Sequence, residues 1–413
     1  MSWPTDASPR PLRRGRLTRH TRAWPGLWLL LTLGAGIAEA APAPIQTQFP
    51  DTEVLAELPA VTIDTRTVDT TPDALAQRLR EDIAQARKTG DPRFIGYGEG
   101  RLRRWPEDRM TPELRVLRAT LAQSQHRFDV AETDLRWVVD HGDGANRAQA
   151  LLTLASILTV QGRYDGARAA CDDLSNAYPG LISDSCLATV DARTGNAQTA
   201  FDRLNEALRS APSDSTSRLW ALGTLADLAD QLDDTRAGMY WQQVLLQDPD
   251  DLYTRTQLAD WSLRHGQPKR TLALTADYPA VDALAVLRAM ALKSLGDPAL
   301  SPLVAHLRER FSEARWRGNL LHKRDYARFE LHVEGNPVLA LEFAEKNWTT
   351  QREPADTRLL LLAARAANAP EPEADLRQWL DRWQQSDQRY PPADPSAALS
   401  GSRPTLAQET LRP

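Results

Sequence analysis

A pattern of apolar, small, turn and helix-ending residues recurs at about 34 residues along this chain, and it is clearest between Leu151 and Pro179. There, Leu151, Leu154, Ala155 and Leu158 mark one helical face. Gly162 breaks the helix, Tyr164, Ala167, Cys171 and Leu174 mark a second face, and Pro179 ends it. A helix–turn–helix of this size cannot bury its apolar face alone, so it implies similar neighbours stacked on both sides. That one inference excludes most folds before any other residue is considered.

Anchoring each unit on its turn places turns at His126, Gly162, Gly195, Leu232, Gly266, Gly296 and Gly335, with steps of roughly 30 to 39 residues. After the turn, an apolar or small residue is followed three places later by alanine: Phe128 with Ala131, Tyr164 with Ala167, Ala197 with Ala200, Pro337 with Ala340. Alanine suits a point where two helix backbones approach closely. Pro179, Pro212, Pro249 and Pro279 end second helices, because proline lacks the amide hydrogen and clashes with the preceding turn. An ordinary helical bundle would show amphipathic helices without this phased set of glycine, alanine and proline.

The ends differ from the array. Residues 1–40 read as a cleavable signal peptide: a basic stretch from Arg10 to Arg22, an apolar core from Leu27 to Ile37, and Ala38-Glu39-Ala40 before Ala41. The core is too short to span a bilayer, which takes roughly 20 residues. The expected destination is the periplasm, by the general secretory route. Six arginines against Asp6 and Glu39 give this segment a net +4, so the −5 of the whole chain leaves about −9 for residues 41–413. An acidic chain argues against nucleic acid or anionic membrane as main ligand, and no second long apolar run marks an integral membrane segment. Residues 41–71 read as a flexible lead-in and 72–111 as a divergent first repeat, with 91–108 irregular around Gly96, Gly98, Gly100 and Pro106. The regular array covers 112–318. Residues 319–385 hold the closing repeats and caps, with Trp379 and Trp383 packing onto the preceding pair. Residues 386–413 read as a disordered tail.

The run Gly162-Arg163-Tyr164-Asp165-Gly166-Ala167 resembles the periplasmic tetratricopeptide-repeat (TPR) proteins of Gram-negative bacteria, and the resemblance extends over roughly residues 72–386. Residues 252–280 depart from the pattern, with Thr271 where alanine is expected and a shortened second helix. Arg317 to Asn336 also departs, having no small residue at the usual crossing. The resemblance implies an all-α fold: a right-handed α-solenoid of about eight TPR-like helix pairs whose concave face, lined by first helices, binds a protein or peptide. It implies no catalysis and no cofactor. Repeat phase assigns Val116, Thr120, Gln123, Leu152, Ser156, Thr159, Tyr253, Thr256, Asp260, Leu263, His322 and Asp325 to that groove. It also brings Cys171 beside Cys186 on the next unit's first helix. In an oxidising compartment a disulfide is the expected state, against two buried free thiols.

Little else suggests chemistry. His126, His141, His265, His306, His322 and His332 lack metal-ligand spacing. Gly96 to Gly100 lacks the strand and lysine of a phosphate loop, and no serine sits in a nucleophile elbow. The expected function is a non-enzymatic periplasmic adaptor in envelope assembly or export. The alternatives are a structural spacer in a larger envelope complex, or polysaccharide association through Tyr253, Trp105 and Trp261.

Overall fold

The computed structural model describes residues 71–212, 217–318 and 320–393. The expected signal peptide, the lead-in up to residue 70, and the tail from residue 394 lie outside the described residues. Eighteen α-helices follow one another there, with no strand among the described residues. They are α1 (Pro72–Thr89), α2 (Arg93–Leu102), α3 (Pro112–Ser124), α4 (Phe128–His141), α5 (Gly144–Val160) and α6 (Tyr164–Ala177). Next come α7 (Leu181–Arg193), α8 (Ala197–Ser210), α9 (Ser217–Gln231), α10 (Arg236–Gln247), α11 (Leu252–Arg264) and α12 (Pro268–Thr275). The series ends with α13 (Asp282–Leu295), α14 (Leu300–Trp316), α15 (Lys323–Phe329), α16 (Pro337–Trp348), α17 (Pro354–Ala366) and α18 (Pro370–Arg382). They pair in order to form nine units of an all-α solenoid.

Local chemistry sets the boundaries. The Thr71 and Thr111 hydroxyls accept from the amides of Ala74 and Leu114, and a proline follows each as the first helical residue. The turns fall where the sequence puts them, except in the fifth unit. There the left-handed residue is Asp233 (φ 57°) rather than Leu232, because aspartate tolerates that backbone better than a branched apolar side chain does. Ala131, Ala167, Ala200 and Ala340 are fully buried, as close helix crossing demands. Thr271 replaces alanine in the sixth unit and is also fully buried. Its hydroxyl donates to the Ala259 carbonyl at 3.0 Å, which removes the cost of burying it.

Three features depart from expectation. The stretch expected to be irregular holds α2, in which Gly98 packs closely against Leu121 and Leu79, an approach that a larger residue would obstruct. The eighth unit's first helix widens into a π turn, Glu330–Glu334, before Gly335, consistent with the missing small residue at its crossing. Residues 386–393 are not a loose tail. The Gln388 amide donates to the Gln231 carbonyl at 3.0 Å, and Gln231 Nε2 donates to the Ser386 carbonyl at 2.7 Å.

The solenoid also closes on itself. Gly90, ending α1, lies against Val281 and Leu252, and Lys88 pairs with Asp250 at 2.8 Å, so the first unit meets the sixth and seventh. Cys171 on α6 and Cys186 on α7 form a disulfide. The last unit crosses back over the third: the Arg352 amide donates to the Val160 carbonyl at 2.6 Å, and Tyr164 lies between Trp379 (5.8 Å) and Trp383 (5.0 Å). The two tryptophans therefore join distant units as well as capping their own.

Candidate functional site

Polar side chains join the first helices α7, α9 and α11: Arg193 donates to Gln231, and Arg264 to Asp230. Tyr253 opens α11 with 53% of its surface exposed, and its hydroxyl donates to Asp227 Oδ2 on α9 at 2.9 Å. Protein nonetheless surrounds both groups. Burial, reinforced by the Asp227 carboxylate, raises the phenol well above its ordinary pKa. Burial also raises Asp227 to about 7, against the favourable pull of the Tyr253 hydrogen bond, Arg193 and Arg389. Asp227 Oδ1 is buried with no hydrogen-bond partner. Trp220, also 53% exposed, lies seven residues before Asp227 and so on the same face of α9.

The ends of the first helices meet the C-terminal units through charge. Burial disfavours ionised Asp260, but Arg328, Arg264 and Arg358 outweigh it and hold the carboxyl well below the carboxylate range. Those guanidiniums lie 3.7, 2.9 and 3.8 Å away, respectively. Arg324 bridges Glu353 and Asp356, and Asp356 also accepts from Asn347 at 2.7 Å. Arg389 joins Asp230 to Asp387, while Arg264 holds the other side of Asp230 at 2.8 Å. Gln351 approaches His126 at 3.3 Å; burial and the cations His322, Arg324 and Lys323 pull that imidazole down to about 4, so it is neutral near pH 7.

The residues expected in the groove divide. Ser156 and Tyr253 are exposed, and Asp260 is partly open but engaged by three arginines. His322 is also exposed; burial lowers its pKa, but Asp282 at 3.2 Å, together with Asp325, raises it overall. Gln123, Leu152 and Leu263 are half-buried, with Leu152 and Leu263 against the core. Thr120, Thr159 and Thr256 are half-buried and donate to carbonyls one turn back in their own helices. Two assignments fail. Val116 is a core residue at 6% exposure, and Asp325 is buried at 9%, with burial raising its pKa. The apolar surroundings of the third and fourth helices draw Val116 inward, and Asp325 is enclosed among His322, Arg324 and Arg328 of its own unit and Asp282 of the preceding one. Asp227 pairs with Tyr253, Arg193 with Gln231, Arg328 and Arg358 with Asp260, and Arg389 with Asp230, and repeat phase did not single out any of these partners.

The aromatic residues expected to meet sugar fare differently. Trp261 is buried, stacked on His265 at 4.1 Å and packed against Gly238. Trp105 donates its ring N–H to the Arg109 carbonyl and carries that guanidinium over its ring at 4.4 Å. Only Tyr253 of the three keeps an open ring.

No protein-family model matches the chain, and no curated protein matches it. Among solved structures, it is similar to a tetratricopeptide repeat protein from Parabacteroides merdae, at 14% identity and a TM-score of 0.34, over 70% of this chain and 98% of that one.

Proposed function

We propose that this chain is an extracytoplasmic scaffold without catalytic activity, which holds a protein or peptide partner on the concave side of its solenoid in envelope assembly or export. The observation that carries this reading is the Tyr253–Asp227 pair. It comprises an open aromatic ring, a carboxyl with an unpartnered oxygen, and Trp220 two turns away on the same helix face. Open aromatic residues beside directional polar groups are the composition of protein-binding hot spots. The C-terminal units cover the turn ends, so the partner's footprint falls on the positions of the first helices that stay exposed, including Trp220, Tyr253 and Ser156. The Cys171–Cys186 disulfide accords with an oxidising compartment.

Site-specific photocrosslinking in the periplasm tests the reading. Probes at Trp220 and Ser156 should capture one defined partner. A probe at Leu246, 73% exposed on outer helix α10, should not. Capture from Leu246 alone would instead make the chain a spacer gripped by its outer rim.

A further inference from the structure

Away from the concavity, helix α18 carries two cavities that adjoin at Arg382. The larger, about 380 Å³, is bounded by Trp348, Trp379, Leu360 and Leu376, with Glu345, Asp375 and Gln378 also in its lining. The smaller, about 300 Å³, is bounded by Tyr164 and Trp383, with Asp165, Arg168 and Thr194. The four rings make one ladder: Trp348 to Trp379 at 5.0 Å, Trp379 to Tyr164 at 5.8 Å, and Tyr164 to Trp383 at 5.0 Å. Arg352 lies over Trp348 at 4.4 Å and helps fix the ladder in place.

We infer that this cleft binds a neutral oligosaccharide. Among the described residues, the side chains of Glu345, Asp375, Gln378 and Arg382 have no ion-pair or hydrogen-bond partner, although each lines a cavity. Carboxylate, carboxamide and guanidinium are planar forks that can take paired hydroxyl groups, and the partly exposed rings of Trp348, Trp379 and Trp383 can accept the apolar C–H faces of a sugar, with the buried Tyr164 only backing them. Sugars alternate those two surfaces, as the cleft does. A helical peptide would require an unbroken apolar strip, which neither cavity provides. From Pro372 to Arg382 the helix spans roughly 15 Å, room for a short oligosaccharide. Both volumes lie at the lower end of the range of ligand pockets, roughly 300–1,000 Å³.

The test uses the full-length chain with soluble hexamers of β1,4-linked glucose, β1,4-linked N-acetylglucosamine and α1,4-linked glucose. Binding is followed by calorimetry and tryptophan emission. One hexamer should bind saturably and shift the emission, and Asp375→Ala with Gln378→Ala should weaken it at least tenfold. Both side chains are exposed, so the double variant should keep its helical circular dichroism and melting curve. Tyr253→Ala should leave hexamer binding unchanged, which separates this site from the concave one. The inference is overturned if no hexamer binds, or if binding survives the double substitution. It is also overturned if an amphipathic helical peptide binds the cleft and no hexamer does.

Discussion

Gly162 and Gly266 occupy the same turn in the third and sixth units, with φ of 73° and 67°, so alanine at either position incurs the same backbone penalty of about 1 kcal/mol. Their surroundings differ. Nothing lies within 4 Å of a β-carbon added at Gly266, whereas one at Gly162 would sit 2.8 Å from Trp379 Cζ2 and 2.9 Å from Arg352 Cδ. The indole is held between Trp348 and Tyr164, so relief requires the C-terminal unit to move. Overpacking of this kind costs about 1–3 kcal/mol. Gly162→Ala should therefore lose about 2–4 kcal/mol and Gly266→Ala about 1 kcal/mol. Urea titrations followed by tryptophan emission and circular dichroism measure both, and melting points should separate by a few degrees. A solenoid can unfold in stages, so the midpoint of the tryptophan-detected phase is the quantity to compare. Repeating Gly162→Ala in a background with both Trp379→Ala and Arg352→Ala should shrink its cost to that of Gly266→Ala, which isolates the two contacts. Equal losses for the two single variants would refute the closure of the ninth unit onto the third.

Asp227 titrates near 7 when folded, against about 3.9 unfolded. Its contribution to stability is thus fully present below about pH 4 and is lost as pH rises through 7. The stability of wild type minus Asp227→Asn should fall between pH 5 and pH 8.5, and a flat difference would contradict the enclosure described. Cys171→Ser with Cys186→Ser opens a loop of 15 residues, which should cost about 3 kcal/mol; the unreduced native and denatured protein should show no free thiol with Ellman's reagent. Arg389→Ala leaves Asp230 paired with Arg264 but strips the guanidinium from the buried Asp387. It should cost about 3 kcal/mol and expose residues 383–393 to the broad-specificity protease proteinase K well before the array is cut. Cleavage at the wild-type rate would mean that this segment is held by other contacts.

Much of the fold was legible because its signals are local. A left-handed turn needs glycine or a tolerant polar residue, a close crossing needs alanine, and a helix end favours proline; each appears in the sequence at its own position. Even Thr271, a departure, kept its place once its hydroxyl found the Ala259 carbonyl. The closure was not legible. It depends on pairs such as Arg389 with Asp230 and Gln385 with Tyr164, 159 and 221 residues apart, which have no period. The site was half legible for the same reason. Phase put Tyr253 and Asp260 on the inner face, but Asp227 gains its properties from what surrounds it. Val116 shows the limit from the other side: a one-step error in phase exchanges groove for core.

The two kinds of contact that close the solenoid do different work. In a simple repeat array each unit meets only its neighbours, so curvature is the sum of small local rotations and any partner must accept it. Here Tyr164 is the wedge of its own unit, almost fully buried, and also the anchor for Trp379, Trp383 and Gln385. The aromatic burial contributes stability. The ion pairs of Asp230, Asp260 and Arg324 contribute little net stability, because desolvation offsets attraction, but a mispaired register would strand a buried charge. Geometry is therefore specified by charge and held by the ladder. A surface fixed in this way presents Trp220, Asp227 and Tyr253 at set positions, so on the proposed reading a partner would bind without the solenoid first having to be ordered.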